Sequence, residues 1–179
     1  MHAGSPVKSL LYVAVAALAL AIGAGAYVWQ AGTTRVHSPP EMAPDVAYSR
    51  LDGSKSTTGA LRGKVVLVNF WATSCKVCVH EMPKIVATHQ QFRARGFETL
   101  AVAMSYDPPA DVVDFANSRQ LPFTVVIDNT GQVAREFGGV KLTPTTLLIN
   151  RKGEIVKRYL GEPDFDELHQ RVERLLSET

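Results

Sequence analysis

The sequence predicts an α/β domain, helices packed on a sheet, behind an apolar N-terminal segment. Three features predict it. Short β-branched apolar runs alternate with amphipathic stretches beyond Asp45. Cys75 and Cys78, the only two cysteines, stand at the end of the first central run, VVLVNFWATSCKVC. Leu10 to Trp29 carries no charge over about 20 residues. At 179 residues the chain is long enough for one domain with a full core once its N-terminus is set aside.

Residues 1–9 are expected as a short cytoplasmic N-terminus, and residues 10–29 (LLYVAVAALALAIGAGAYVW) as a transmembrane anchor. Tyr12, Tyr27 and Trp29 near its ends suit the membrane interfaces. Lys8 and the amino terminus put a modest positive charge on the short side, which Arg35 beyond the other end partly offsets. The competing reading is a signal peptide cleaved after Ala26, because Ala24-Gly25-Ala26 fits a small-x-small site. The apolar run continues past that site through Tyr27, Val28 and Trp29, which favours an uncleaved anchor. Either reading exports the rest of the chain to an oxidising exterior, where an exposed cysteine pair stays reduced only if something supplies electrons.

Residues 30–44 (QAGTTRVHSPPEMAP) read as a polar, Pro-rich linker, and residues 45–179 as the folded domain. Val65 to Phe70 is the first central strand. Cys75 to about Arg95 reads as a helix that Pro83 interrupts and kinks, ended by Gly96. Phe97 to Met104 is a strand, Ala110 to Arg119 a helix after Pro108-Pro109, Phe123 to Ile127 a strand and Val133 to Phe137 a helical turn. Thr145 to Asn150 and Ile155 to Leu160 make a hairpin. Phe165 to Ser177 closes the domain as an amphipathic helix capped by Asp164.

The cysteine pair carries the chemistry. A helix starting near Cys75 puts its sulfur at a helix N-terminus, where unpaired N–H groups and the macrodipole favour a thiolate. Cys78, one turn on, can displace a partner bound to Cys75 and close an intramolecular disulfide. Zinc wants four ligands and there is no second pair. Covalent haem needs His directly after the second cysteine, where Val79 stands, with the histidine displaced to His80. A copper site on Cys75, Cys78 and a histidine remains open as a reading of a different class, because soft thiolates and imidazole suit copper. An inert disulfide would close too short a loop to constrain the unfolded chain much. His80, His89 and His169 have no ligand spacing and read as surface or helix residues. The net charge of +2 and the lack of basic clusters argue against nucleic acid, and no phosphate-cradling loop, Ser-His-Asp set or repeat is present.

The strand with WATSCKVC, Glu81-Met82-Pro83, the Thr143-Pro144-Thr145 turn and the final hairpin and helix resemble a thioredoxin fold. They are most similar to the membrane-anchored TlpA/ResA family of bacterial thiol-disulfide oxidoreductases, over roughly Val46 to Glu178. The segment between the Phe97 and Phe123 strands resembles that family's strand-helix insert. The resemblance implies a central mixed sheet flanked by helices, no cofactor beyond a redox-active disulfide and no metal. It also implies a single-pass bacterial protein whose catalytic domain faces the periplasm or cell exterior. There it would reduce disulfides in partner proteins, of the cytochrome c maturation or copper-oxidase assembly type, and be fed by a membrane electron donor of the thiol-disulfide type.

Residue by residue, the resemblance makes Cys75 the nucleophile and Cys78 the resolving cysteine. Trp71 matches a tryptophan packed beside the site; on burial grounds it is equally a core filler at a strand end. Pro144 matches a cis-proline facing the cysteines, and Thr143 the residue whose backbone pairs with a substrate strand. Glu81, three residues after Cys78, matches a glutamate associated with the resolving thiol's proton; the plainer reading is a surface acid paired with Lys84. Plain thioredoxin has a buried aspartate where Asn69 stands, which leaves Glu81 the nearest acid-base candidate. Ser74 stands where most relatives have a second tryptophan, and Lys76-Val77 replaces a pair containing proline. Lys76 puts a positive charge beside Cys75 that favours its thiolate, and Ser74, Lys76 and the Thr143 turn are where partner choice is expected. Thr73-Ser74-Cys75 also resembles peroxiredoxins, but Asn69 stands where their motif opens with proline, so peroxidase activity is not expected.

Overall fold

The computed structural model describes Leu18 and residues 39–178. The expected anchor at residues 10–29, Leu18 apart, and the first part of the expected linker lie outside the described residues. Among the described residues no helix is long and apolar enough to cross a membrane.

Ala47–Ser49 (β1) and Lys55–Thr57 (β2) pair antiparallel. Their turn is closed by Arg50 N–H donating to the Ser54 carbonyl at 2.8 Å, with Gly53 at φ 81°, a left-handed conformation open to glycine at little cost. Thr58–Leu61 follows as a 3-10 turn. Residues 41–44, the end of the Pro-rich stretch, lie on the domain. The Glu41 carbonyl accepts from Ile155 N–H, and Ala43 N–H donates to Gly153, both at 2.8 Å. The Thr58 hydroxyl donates to the Pro44 carbonyl at 2.6 Å.

The main sheet has five strands in the order β5-β4-β3-β6-β7. Val65–Trp71 (β3) lies at its centre with every residue buried, which explains its unbroken apolar run. Phe97–Ala103 (β4) pairs parallel to β3 and Thr124–Ile127 (β5) parallel to β4. Thr145–Ile149 (β6) runs antiparallel to β3, and Ile155–Leu160 (β7) antiparallel to β6.

Side chains on β3 alternate between faces, and this places the site. Val66, Val68 and Phe70 join Val46, Leu100, Val133 and Phe137 in one core layer. Val65 and Leu67 point to the other face, where Ile85 and Phe92 of the helix Lys76–Phe92 (α1) meet Leu168 and Val172 of the helix Phe165–Ser177 (α4). Asn69 and Trp71 share that second face by the same period of two, so Asn69 looks toward α1. Between β4 and β5 lies the helix Pro109–Ser118 (α2), whose Val112 and Ala116 pack with Trp71, Cys78 and Met82. The short helix Gln132–Glu136 (α3) supplies Val133 and Ala134 to the first layer.

Two expectations for α1 need correction. It runs as one helix through Pro83, because the face bearing Cys78, Glu81, Met82, Ile85, Thr88, His89 and Phe92 is buried along its length and that packing offsets the one backbone donor Pro83 lacks. It also ends at Phe92, and Arg93–Arg95 tighten into a 3-10 turn before Gly96, at φ 91°, turns the chain into β4. The Asp164 cap is present, its carboxylate accepting from the N–H groups of Asp166 and Glu167.

Candidate active site

The chain leaves β3 at Trp71 and tightens at once: Cys75 N–H donates to the Ala72 carbonyl at 3.1 Å. Cys75 is then the N-cap of α1, and its Sγ accepts from Cys78 N–H at 3.2 Å. That is the contact that stabilises a thiolate, a cap oxygen's place taken by sulfur. Cys75 and Cys78 form a disulfide, their Cα atoms 5.2 Å apart. The two sulfurs differ in setting. Cys75 is half-buried, with Ser74, Lys76 and Val77 exposed around it. Cys78 is wholly buried among Trp71, Met82, Ala101 and Val112.

A carboxyl stands one helical turn further along the chain. Glu81 is fully buried, its Oε1 accepting from Asn69 Nδ2 at 2.9 Å, while the same Nδ2 donates to Thr146 Oγ1 at 2.9 Å. Glu81 Oε2 and Asn69 Oδ1 are buried with no protein partner. Burial pushes the Glu81 carboxyl up to about 7 from the ordinary 4.5, against the opposing hydrogen bond from Asn69. The reading of Glu81 as a surface acid paired with Lys84 is overturned, because Lys84 Nζ pairs with Glu162 at 2.5 Å instead. A carboxyl that titrates near neutrality inside an apolar core can hold or release one proton there.

Trp71 is fully buried, its ring 5.1 Å from that of Phe115 and packed in one cluster with Cys78, so it fills core and borders the site at once. The Thr143-Pro144 bond is cis. With Phe70 opposite Thr145 in the ladder, Pro144 falls at the end of β3 from which the cysteine turn departs. The Thr143 hydroxyl lies 3.0 Å from that of Tyr106, whose ring is largely exposed. His80 is exposed, whereas His89 is a buried helix residue whose Nδ1 lies 3.2 Å from the Thr99 hydroxyl. One contact had no counterpart in the sequence reading. Both carboxylate oxygens of the buried Asp107 accept from Thr73, two residues before Cys75.

The family model described as Redoxin matches residues 39–172. The chain belongs to the Redoxin family. The thiol-disulfide oxidoreductase ResA of Geobacillus thermodenitrificans is 36% identical over 133 residues, covering 74% of this chain and 75% of that protein. A solved Neisseria meningitidis protein described as a thioredoxin is 40% identical with a TM-score of 0.72, covering 79% of this chain and 93% of that one. A Chlorobium tepidum protein described as a thiol:disulfide interchange protein DsbE is 30% identical with a TM-score of 0.69, covering 78% and 99%. This Redoxin-family chain is thus a TlpA/ResA-like thiol-disulfide oxidoreductase with a thioredoxin fold, and Cys75–Cys78 is its redox-active disulfide.

Among the described residues no group of three or more His, Cys, Asp and Glu side chains is placed to hold a metal ion.

Proposed function

We propose that this chain is a disulfide reductant of partner proteins, held by its N-terminal segment outside the bacterial cytoplasmic membrane, with Glu81 managing the proton of the resolving thiol. The observation that carries it is the sealed Cys78, with Glu81 one turn behind it, pushed up to about 7 by burial and held by Asn69. The Cys75 thiolate attacks one sulfur of a partner disulfide; that S–S bond breaks, and the partner's released thiolate takes a proton from solvent. Glu81, ionised, accepts the Cys78 proton; the new thiolate attacks Cys75 Sγ, closes the Cys75–Cys78 disulfide and expels the partner's second thiolate. Two electrons pass to the partner, and a membrane donor of the thiol-disulfide type returns them.

The partner strand docks at the Thr143-Pro144 turn, pairing with the Thr143 backbone beside exposed Ser74, Lys76 and Val77. The resemblance to the TlpA/ResA family supports apocytochromes c awaiting haem, or copper-site proteins of oxidases, as the partner class.

The test is to replace Cys78 with Ser, so that Cys75 attacks but cannot be released. In the bacterial envelope this variant should accumulate mixed disulfides with exported proteins, visible on non-reducing gels and absent from Cys75→Ser. No trapped partner, with Cu(I) bound tightly by the reduced cysteine pair and no disulfide reduction, would overturn the proposal in favour of a copper chaperone.

A further inference from the structure

The loop between β4 and α2 is laced into the cysteine turn, and a carboxylate does the lacing. Asp107 is 2% exposed. Its Oδ2 accepts from Thr73 N–H at 2.7 Å and its Oδ1 from the Thr73 hydroxyl at 2.6 Å. Its own N–H donates to the Met104 carbonyl at 2.9 Å, and Met104 N–H donates to the Trp71 carbonyl at 3.0 Å. So the loop grips the chain where β3 ends and again at Thr73. One residue beyond Thr73's neighbour Ser74, Cys75 caps the helix with its sulfur.

A buried carboxylate is a costly way to tie two loops, because its desolvation must be offset by its hydrogen bonds. Among the described residues it makes no ion pair, and both of its side-chain partners belong to one threonine. Charge-assisted bonds are roughly twice as strong as neutral ones, so the grip on Thr73 is firm. Two residues beyond Thr73, Cys75 Sγ accepts from Cys78 N–H at 3.2 Å, and a thiolate at a helix N-terminus is stabilised while it sits over such an N–H.

We infer that the Thr73–Asp107 pair positions the Cys75 thiolate, Asp107 acting through the backbone and hydroxyl of Thr73 and not on substrate. The inference rests on Cys75 being the attacking thiol. It also predicts a direction opposite to plain electrostatics. Removing a negative charge near Cys75 should by charge alone favour the thiolate. Loosening the turn should disfavour it.

The experiment follows alkylation of Cys75 by iodoacetamide against pH in the reduced full-length chain, read by mass spectrometry of the Cys75 peptide. The variants are Asp107→Asn, Thr73→Val and Thr73→Ser. Wild type should show a midpoint below the free-cysteine value of about 8.5, and both Asp107→Asn and Thr73→Val should raise it by about one pH unit, slowing alkylation near pH 7 about tenfold. Thr73→Ser, which keeps the hydroxyl, should restore the wild-type profile. Midpoints in Asp107→Asn and Thr73→Val equal to or below wild type would overturn the inference, and so would Thr73→Ser behaving like Thr73→Val. If Asp107→Asn does not fold, the Thr73→Val and Thr73→Ser pair decides by the same criteria. A wild-type midpoint at the free-cysteine value would instead sink the reading of Cys75 as the activated thiol.

Discussion

Replacing Glu81 with Gln should make the protein's stability less dependent on pH. In the folded protein the carboxyl is pushed up by burial from 4.5 to about 7, so its neutral form is favoured there more than in the unfolded chain. The cost of ionising it in the fold is absent well below pH 4.5, grows as pH rises and is complete above about 7. At ~1.36 kcal/mol per pH unit between the two values, that cost is about 1 kcal/mol at pH 5 and about 3 kcal/mol at pH 8. The substituted amide cannot ionise. It keeps an oxygen for Asn69 but puts an NH2 group where Oε2 has no partner, an offset that does not vary with pH. The stability of Glu81→Gln relative to wild type should therefore rise by about 2 kcal/mol between pH 5 and pH 8, whatever its value at either. Urea unfolding of both oxidised proteins at the two pH values measures it. A difference that stays flat, or falls, would refute a buried carboxyl titrating near neutrality.

Glu81→Gln should also slow release of the mixed disulfide by at least about 10²-fold at neutral pH, the lower end for a lost general base, while Cys75 alkylation stays at the wild-type rate; single-turnover quench measurements separate the two. Asn69→Ala removes the hydrogen bonds to Glu81 and Thr146 and should cost ~2–3 kcal/mol in denaturant unfolding. It should also raise the pH midpoint of mixed-disulfide release above that of wild type, because the Asn69 bond holds the Glu81 carboxyl down.

Much of this site could be read from the chain because its parts lie on two strong local patterns. The unbroken apolar run of β3 and the cysteines after it placed the turn, whereas Asn69 was singled out only by the resemblance to thioredoxin, and its place on the face that meets α1 came from the structure. Helix spacing put Glu81 one turn beyond Cys78, but not its burial, which depends on how α1 lies on the sheet. The helix Phe165–Ser177 and its Asp164 cap were legible because a strong apolar stripe and a cap residue agree. Contacts between distant loops left no such trace. Asp107 sits in a Ser-Tyr-Asp-Pro-Pro stretch that reads as an ordinary helix approach, and nothing in it points to Thr73 across 34 residues. The β1–β2 hairpin escaped because three-residue strands such as Ala47–Ser49 are too short to show alternation, although Asp52-Gly53 is a turn signal that could have found it. Glu41 to Pro44 read as linker by composition, yet their backbone groups bond to Gly153, Ile155 and Thr58, and backbone pairing is blind to side-chain identity.

Whether this chain works as a reductant is decided by the reduction potential of the Cys75–Cys78 couple, equilibrated against glutathione or dithiothreitol buffers and read by trapping free thiols. A reversible two-electron couple near about −250 mV or lower is the predicted result. A value near about −120 mV would make the protein an oxidant of its partners and contradict the proposed direction of electron flow.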